Sequence, residues 1–393
     1  MMSKKPAIQS LGIRNLLSFG ERGAKIELGP LNILIGPNGS GKSNFLEIIG
    51  LLKGVPNDFA DAISNSGGIS DCLWKGALKT PIARLEVFAN PRRTRTPLRY
   101  TLSFTKKAGK LAITDELLES PPLPEGHVAP QAFLKYLNGA PVLYSNGSKQ
   151  ALPDEEQNDQ QSVLAQRKDP TRYPEITYLG RLFASFRLYQ NWEFGQDSSM
   201  RDLYGAELKN DYLEEDIANF GMMLNRFMSN PHVRPELLKY LKMFYEDAVY
   251  VDTPIQGGLV DIRLEEKNKI SIPAIRLSDG TLRWLALLTI LLHPAPPPLV
   301  CLEEPELGLH PDIIRPLAEL LIKASERMQL IVTTHSDALV DHFTEIPESV
   351  IVCEKEGGST TLTRLDGGRL SSWLERYRLG ELWRTGEIGG NRW

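Results

Sequence analysis

The sequence predicts an α/β fold with a parallel-sheet core, an antiparallel β lobe in its N-terminal half and a helical insert between the two. Three observations lead there. From Thr281 onward, short apolar runs of strand length alternate with helical stretches, the pattern of a parallel sheet with helices on its faces. From Ile82 onward the apolar residues recur at period two, as half-buried antiparallel strands require. Between Met200 and Glu246 they recur at helical spacing, through Leu203, Leu208, Leu213, Ile217, Phe220, Leu224 and Phe227.

Taken in order, the chain opens on three short β-like runs, Ile8–Ile13, Ala24–Leu28 and Leu31–Ile35, punctuated by Gly20, Gly23 and Gly29-Pro30. A glycine-rich loop follows, then a helix over Asn44–Leu52 with Phe45, Leu46, Ile48, Ile49 and Leu52 on one face. Strands are expected at Ile82–Phe88, Leu98–Phe104 and Lys110–Thr114, and a hairpin at Phe133–Leu137 with Val142–Tyr144. Two polar stretches interrupt this lobe: a proline-rich loop at Ser120–Pro130, and Ser148–Pro170, whose Gln, Asp and Glu content predicts a solvated or mobile segment. The apolar positions of Met200–Glu246 hold no heptad, so a compact insert is expected and not a coiled coil. Strands return at Ala248–Val251 and Leu259–Leu264. Then come a helix near Thr281–Leu292, strand Leu299–Leu302, helix Asp312–Arg327, strand Leu330–Thr333, helix Asp337–Phe343 and strand Ser349–Glu354.

Bulk properties exclude more than they assign. The 393 residues suit one large α/β domain with insertions, or two domains, and 41% hydrophobic content is ample for a core. A formal net charge of −4 offers no global basic field for nucleic acid, although a local patch would suffice. The cysteines, Cys72, Cys301 and Cys353, are scattered, without metal-ligand spacing, and suit a reducing compartment. The opening MMSKKPAIQS lacks an apolar core for a signal peptide, and no run nears the roughly 18 apolar residues of a membrane span. A cytoplasmic protein without a membrane partner is the expectation.

Gly36-Pro37-Asn38-Gly39-Ser40-Gly41-Lys42-Ser43 fits G-x-x-x-x-G-K-[ST] and lies between an apolar strand and a helix. In that setting the glycines let backbone amides approach phosphate oxygens. The helix N-terminus, entered through Asn44, adds positive potential. Lys42 can reach β- and γ-phosphates, and Ser43 can ligate Mg²⁺. Pro298–Glu304 is an apolar run ending in two acids, of which Glu303 can hold Mg²⁺ and Glu304 can orient or deprotonate an attacking water. Ser278 and Gly280, in Leu277-Ser278-Asp279-Gly280-Thr281, precede the longest apolar helix. Ser278 reads either as an N-cap or as part of a second phosphate cradle. Thr333-Thr334-His335-Ser336 closes the apolar run Leu330–Val332, and a histidine such as His335 there can bond a γ-phosphate and sense its loss.

With these motifs in this order, the chain resembles the ABC-type ATPases, specifically the SMC, RecF and OLD-like branch, over roughly residues 8–52 and 271–354. Ile13–Gly20 looks like that branch's N-terminal hairpin. Glu303-Glu304-Pro305-Glu306 with Leu309-His310-Pro311 is similar to the EPE…LHP variant of its predicted bacterial ATPases, and Leu277–Thr281 resembles the LSGGQ signature. The resemblance implies an ABC-ATPase head of P-loop NTPase fold, assembled as one discontinuous domain. Residues 1–190 would carry the phosphate loop and antiparallel sheet, 191–270 the insert, and 271–393 the signature, acids and switch histidine. It implies ATP and Mg²⁺ as ligands, Lys42 and Ser43 on phosphate and metal, Glu304 as base, and His335 as switch. Gln190 stands as the candidate Q-loop metal contact. It further implies a homodimer, or a higher oligomer, in which Ser278 and Gly280 act on the partner's nucleotide, with DNA maintenance or anti-phage defence beside a nuclease or other effector as the setting. Glu303 stands where Asp is commoner, and His310 near the usual D-loop aspartate. A transporter nucleotide-binding subunit and a nucleotide-dependent scaffold with negligible turnover are the alternatives; the large insert and the EPE…LHP form argue against the transporter. No D-x-D pair follows His335, so an OLD-type nuclease is not expected.

Two further features stay open. Arg92, Arg93, Arg95 and Arg99 cluster between strands, either to meet nucleic-acid phosphates or as a solvated hairpin tip. The C-terminal Trp373–Arg384 alternates aromatic and charged residues and reads as an amphipathic helix docking on the head in preference to a base-stacking surface.

Overall fold

The structure is a computed structural model that describes residues 5–91, 97–121, 131–137, 139–145, 148–152, 158–190, 192, 195–196 and 198–390. Its centre is a six-stranded sheet in the order Arg187–Tyr189, Leu299–Glu303, Gln329–Thr333, Leu31–Ile35, Val350–Glu356, Ser359–Arg364. The first five strands are parallel, and the last returns antiparallel through a Gly357-Gly358 turn, a strand the sequence reading missed. Every residue of Leu31–Ile35 and Gln329–Thr333 is buried, because the sheet is covered on both faces. Alternate side chains therefore feed two cores. Leu34, Ile331, Cys301 and Cys353 pack with the helix Lys42–Gly54 and the antiparallel lobe. Ile33, Ile35, Val332 and Leu302 pack with the helix Asp279–Leu291 and the insert.

The N-terminal lobe is an eight-stranded antiparallel sheet that joins Ile8–Arg14 and Ala24–Glu27 to the meander Ala83–Ala89, Leu98–Lys107, Lys110–Ser120, Gln131–Leu137, Ala140–Ser145 and Ser148–Ala151. Of the stretch 148–170, residues 153–157 lie outside the described residues, and residues 149–151, 158–159 and 168–170 are exposed as expected, but the rest is not only solvated loop. The stretch holds that last strand and a short helix, Val163–Gln166. Glu116, fully buried, explains the docking: it accepts bonds from Tyr100 Oη (2.8 Å), Ser162 Oγ (2.5 Å) and Val163 N (2.9 Å). Of the proline-rich loop, residues 122–130 lie outside the described residues.

Among the described residues, the α-helices of the insert are Phe220–Ser229 and Arg234–Phe244. Ahead of them the chain follows turns, because the Asn219 amide donates to the carbonyls of Lys209 and Tyr212 (both 2.7 Å) and so takes up acceptors a helix would need. Leu213 and Ile217 nevertheless reach the core, which is how an irregular segment imitates helical periodicity. The expected strand Leu259–Leu264 is two strands, Leu259–Val260 and Arg263–Glu266, in separate three-stranded sheets. At the C-terminus Gly367–Leu374 has no buried residue, whereas Leu379–Thr385 buries Leu379, Leu382 and Trp383 and does the docking.

Candidate functional site

In a parallel sheet every strand delivers its following loop to the same edge, so the chemistry-bearing segments meet there. Ile35 pairs beside Val352, Glu303 beside Thr333, and Thr333 beside Leu34. Tyr189 pairs with Leu302, which sets Gln190 next in register to Glu303. The loops after Ile35, Glu303, Thr333 and Tyr189 thus share one edge.

The loop between Ile35 and Lys42 is shaped by its glycines. A Cβ on Gly36 (φ +146°) would lie 2.2 Å from the Cys353 carbonyl, so no other residue fits against the neighbouring strand. A Cβ on Gly41 (φ +107°) would lie 2.3 Å from Thr360 Oγ1. Thr360, fully buried on the antiparallel edge strand, sits 2.8 Å from the Ser40 carbonyl and 2.7 Å from Ser18 Oγ. A carbonyl only accepts, so the Thr360 proton goes to Ser40 and the Ser18 hydroxyl donates in return. Gly41 begins the helix Lys42–Gly54 without any side-chain cap, which leaves the first-turn amides to an incoming anion. Asn38 and Gly39 are exposed at the loop tip, Ser40 is buried, Ser43 is exposed, and Asn44 is half-buried on the helix's first turn.

Lys42 Nζ folds back onto its own loop, donating to Gly36 O (2.7 Å) and Pro37 O (3.1 Å). Burial lowers its pKa, opposed by the charges of Glu304 and Glu303. Ser43 Oγ donates to Glu303 Oε1 at 2.5 Å, so two oxygens of the kind that hold Mg²⁺ face each other directly. Gln190 lines a cleft of about 710 Å³ along the same helix, with Glu47, Lys53 and Glu215.

Glu304 adopts φ +43°, unusual for a side-chain-bearing residue, and is held there by its own amide donating to Thr333 O (3.0 Å) and by Arg283 donating to its carbonyl. The carboxylate lies 3.5 Å from His335 Nε2. Burial, then the charge of Lys42, lowers the pKa of His335 below its ordinary 6.5, which keeps the ring neutral near pH 7. Beneath it Glu306, its pKa raised by burial, accepts from Thr334 Oγ1 and His335 N (3.3 Å) and fixes the backbone that carries the histidine.

Ser278 caps the helix Asp279–Leu291, Oγ accepting from Thr281 N at 3.1 Å, so the plain capping role is present in the geometry. A Cβ on Gly280 would come within 2.9 Å of Gly308 O and 3.2 Å of Phe244 Cζ, which packs this helix start closely against the segment after Glu306. His310 caps the turn Pro311–Ile313 through Asp312 N (3.4 Å). Arg92, Arg93 and Arg95 lie outside the described residues. Arg99 sits near the start of strand Leu98–Lys107 and is paired with Glu119. Sequence reasoning missed Thr360, Arg283 and Arg201, which stand in no motif, and the support that Glu306, itself part of the EPE run, gives His335; only contact reveals these roles.

Among the described residues no helix is long and apolar enough to cross a membrane. A family model described as "AAA domain, putative AbiEii toxin, Type IV TA system" matches residues 31–341. The fold is that of SMC ATPase heads. An SMC head solved with the C-winged helix domain of ScpA aligns at a TM-score of 0.56 and 14% identity, covering 93% of this chain and 99% of that one. A Pyrococcus furiosus SMC head with an extended coiled coil, bound to the C-terminal domain of ScpA, aligns at 0.54 and 13% identity, covering 94% and 99%. No curated protein matches the sequence.

Proposed function

The chain belongs to the AAA-domain family described as putative AbiEii toxin, Type IV TA system, and from that premise we propose that it hydrolyses ATP and serves as an ATP-dependent dimerisation switch. The observation that carries this reading is the meeting of Gly36–Ser43, Glu303, Glu304 and His335 at one edge of the parallel sheet. Uncapped amides at Lys42–Asn44 receive the phosphates, together with the backbone of Gly36, Asn38, Gly39, Ser40 and Gly41. Lys42 exchanges its two loop carbonyls for β- and γ-phosphate oxygens, a trade of neutral for charged acceptors. Ser43 and Glu303 fit Mg²⁺, which when bound would neutralise phosphate charge, and Gln190, next in register to Glu303, is the Q-loop candidate. Glu304 takes the proton of the attacking water, and neutral His335 reports the γ-phosphate.

The second half of the reading is the dimer. Ser278 and Gly280 present a helix N-terminus with a hydroxyl, which suits the γ-phosphate of a nucleotide held by a second copy. We read the chain as one discontinuous head, with residues 1–190 and 271–393 as its two lobes and 191–270 as the insert between them. A family description that places a toxin within a TA system supports a partnered role, and anti-phage defence or DNA maintenance beside an effector such as a nuclease is the setting we favour. Mixing two inactive variants tests the dimer. Lys42→Ala should lose ATP binding in calorimetry, and Ser278→Arg should lose turnover. Their mixture should regain up to about a quarter of wild-type turnover, since about half of random dimers carry one intact composite site. Ser278→Arg hydrolysing at the wild-type rate would refute the composite site, and undiminished ATP affinity in Lys42→Ala would refute the phosphate loop.

A further inference from the structure

Arg201, at the end of the 3₁₀ turn Ser199–Arg201 in the insert, reaches into the loop that leads to Ser278. Its Nε donates to Gly195 O (2.8 Å). Its Nη1 donates to the carbonyls of Ala274 (3.0 Å), Ile275 (3.3 Å) and Leu277 (2.6 Å), and its Nη2 to Oδ1 of Asp279. The other carboxylate oxygen of Asp279 accepts from Gly195 N at 3.1 Å. The arginine side chain is 9% exposed and the aspartate 38%. One planar fork thus gathers the carbonyls of Ala274, Ile275 and Leu277 and the first side chain of the helix Asp279–Leu291.

Asp279 poses a conflict. An acid in the first turn suits a helix N-terminus, where it offsets the dipole. The same carboxylate opposes any phosphate approaching that terminus, and the usual LSGGQ form carries glycine at this position. We infer that Arg201 is a positioning residue of the signature: it neutralises Asp279 and holds the carbonyls of Ala274, Ile275 and Leu277 turned away. Ser278–Gly280 can then accept the γ-phosphate of a nucleotide bound by a second copy. This rests on the composite-site reading above. It gives the insert a direct part in forming that site, because the guanidinium comes from a segment 78 positions away in sequence.

The test uses the full chain with two readouts, steady-state turnover and binding of a fluorescent ATP analogue to the phosphate loop. Arg201→Gln exposes the aspartate charge and should lower turnover at least about tenfold while analogue binding stays within about twofold, because the damage lies on the face offered to the partner. Adding Asp279→Asn removes the bare charge and should recover most of that loss. A merely structural role for Arg201 would leave the double variant no better than the single one. Arg201→Gln at wild-type turnover, or a nucleotide-binding double variant as slow as the single, would overturn the inference. Should Arg201→Gln fail to fold, Arg201→Lys carries the test. It keeps the charge without the fork, turnover within about tenfold of wild type is expected, and a folded, nucleotide-binding Arg201→Lys without turnover would overturn it. Ser278→Arg is run alongside: full turnover there would show that the composite site itself, and not the role of Arg201, is at fault.

Discussion

Replacing Thr360 with valine tests whether the phosphate loop depends on a residue far from it in sequence. Thr360 is fully buried, its hydroxyl 2.8 Å from Ser40 O and 2.7 Å from Ser18 Oγ. Its amide donates to Ser18 O at 2.8 Å and is untouched by the change. Valine keeps the shape, so no cavity opens and the loss is polar. Ser18 is only half-buried and can turn to water, whereas the Ser40 carbonyl loses a buried donor, which costs about 1–3 kcal/mol. Thr360→Ser keeps both bonds and forfeits one buried methyl, about 1 kcal/mol. Stability alone separates these variants weakly, and nucleotide affinity separates them well. A loop released at Ser40 must be ordered again by the ligand. If about 1–2 kcal/mol passes to binding, ATP affinity falls by about 5- to 30-fold in the valine variant and little in the serine one. Denaturant melts and calorimetry with ATP measure the two quantities. Thr360→Val with wild-type stability and wild-type ATP affinity would refute the reasoning.

Glu304→Gln should bind ATP normally while losing about two to four powers of ten in turnover, as removal of a general base does; the same loss from Glu303→Gln, with Glu304→Gln active, would reverse the two assignments. His293 should make the protein acid-sensitive. It is 3% exposed, its Nε2–H donates to Asp211 O (2.8 Å), its Nδ1 accepts from Ala295 N (3.2 Å), and burial lowers its pKa below the ordinary 6.5. Below about pH 6.5 the unfolded chain takes up a proton that the folded one refuses. This contribution is therefore complete above that pH and is lost as pH falls below it through the lower folded value. Thermal melts at about pH 7.5 and about pH 5 should show the drop shrinking in His293→Gln, and an unchanged drop would remove His293 as its source.

Residues 31–54 and 299–335 were legible because their demands are local. A glycine-rich loop between an apolar strand and a helix announces its own backbone, and acids or a histidine at the end of an apolar run announce a sheet edge. Once the strands are parallel, those ends must meet, so order along the chain was enough to gather Lys42, Glu303, Glu304 and His335. Where composition or spacing stood in for structure, the reading missed ordered pieces. The stretch 148–170 looked solvated because nothing in it shows that Ser162 and Val163 will find the buried Glu116. Residues 200–219 looked helical because apolar residues that pack on a core keep helical spacing by accident, while Asn219 holds the backbone out of a helix.

By itself, then, the sequence determined the fold class and where the glycine-rich loop, the acids and the histidine stand, each written in a pattern of a few neighbouring residues. Only the tertiary structure decided that Thr360 ties Ser40 to Ser18, that Arg283 and Thr333 hold Glu304 in its strained turn, and that Arg201 covers Asp279. The physical reason is common to all three. A single polar side chain has no periodicity, and its role is fixed by the one donor or acceptor it meets after folding, which in Thr360 lies 320 positions away.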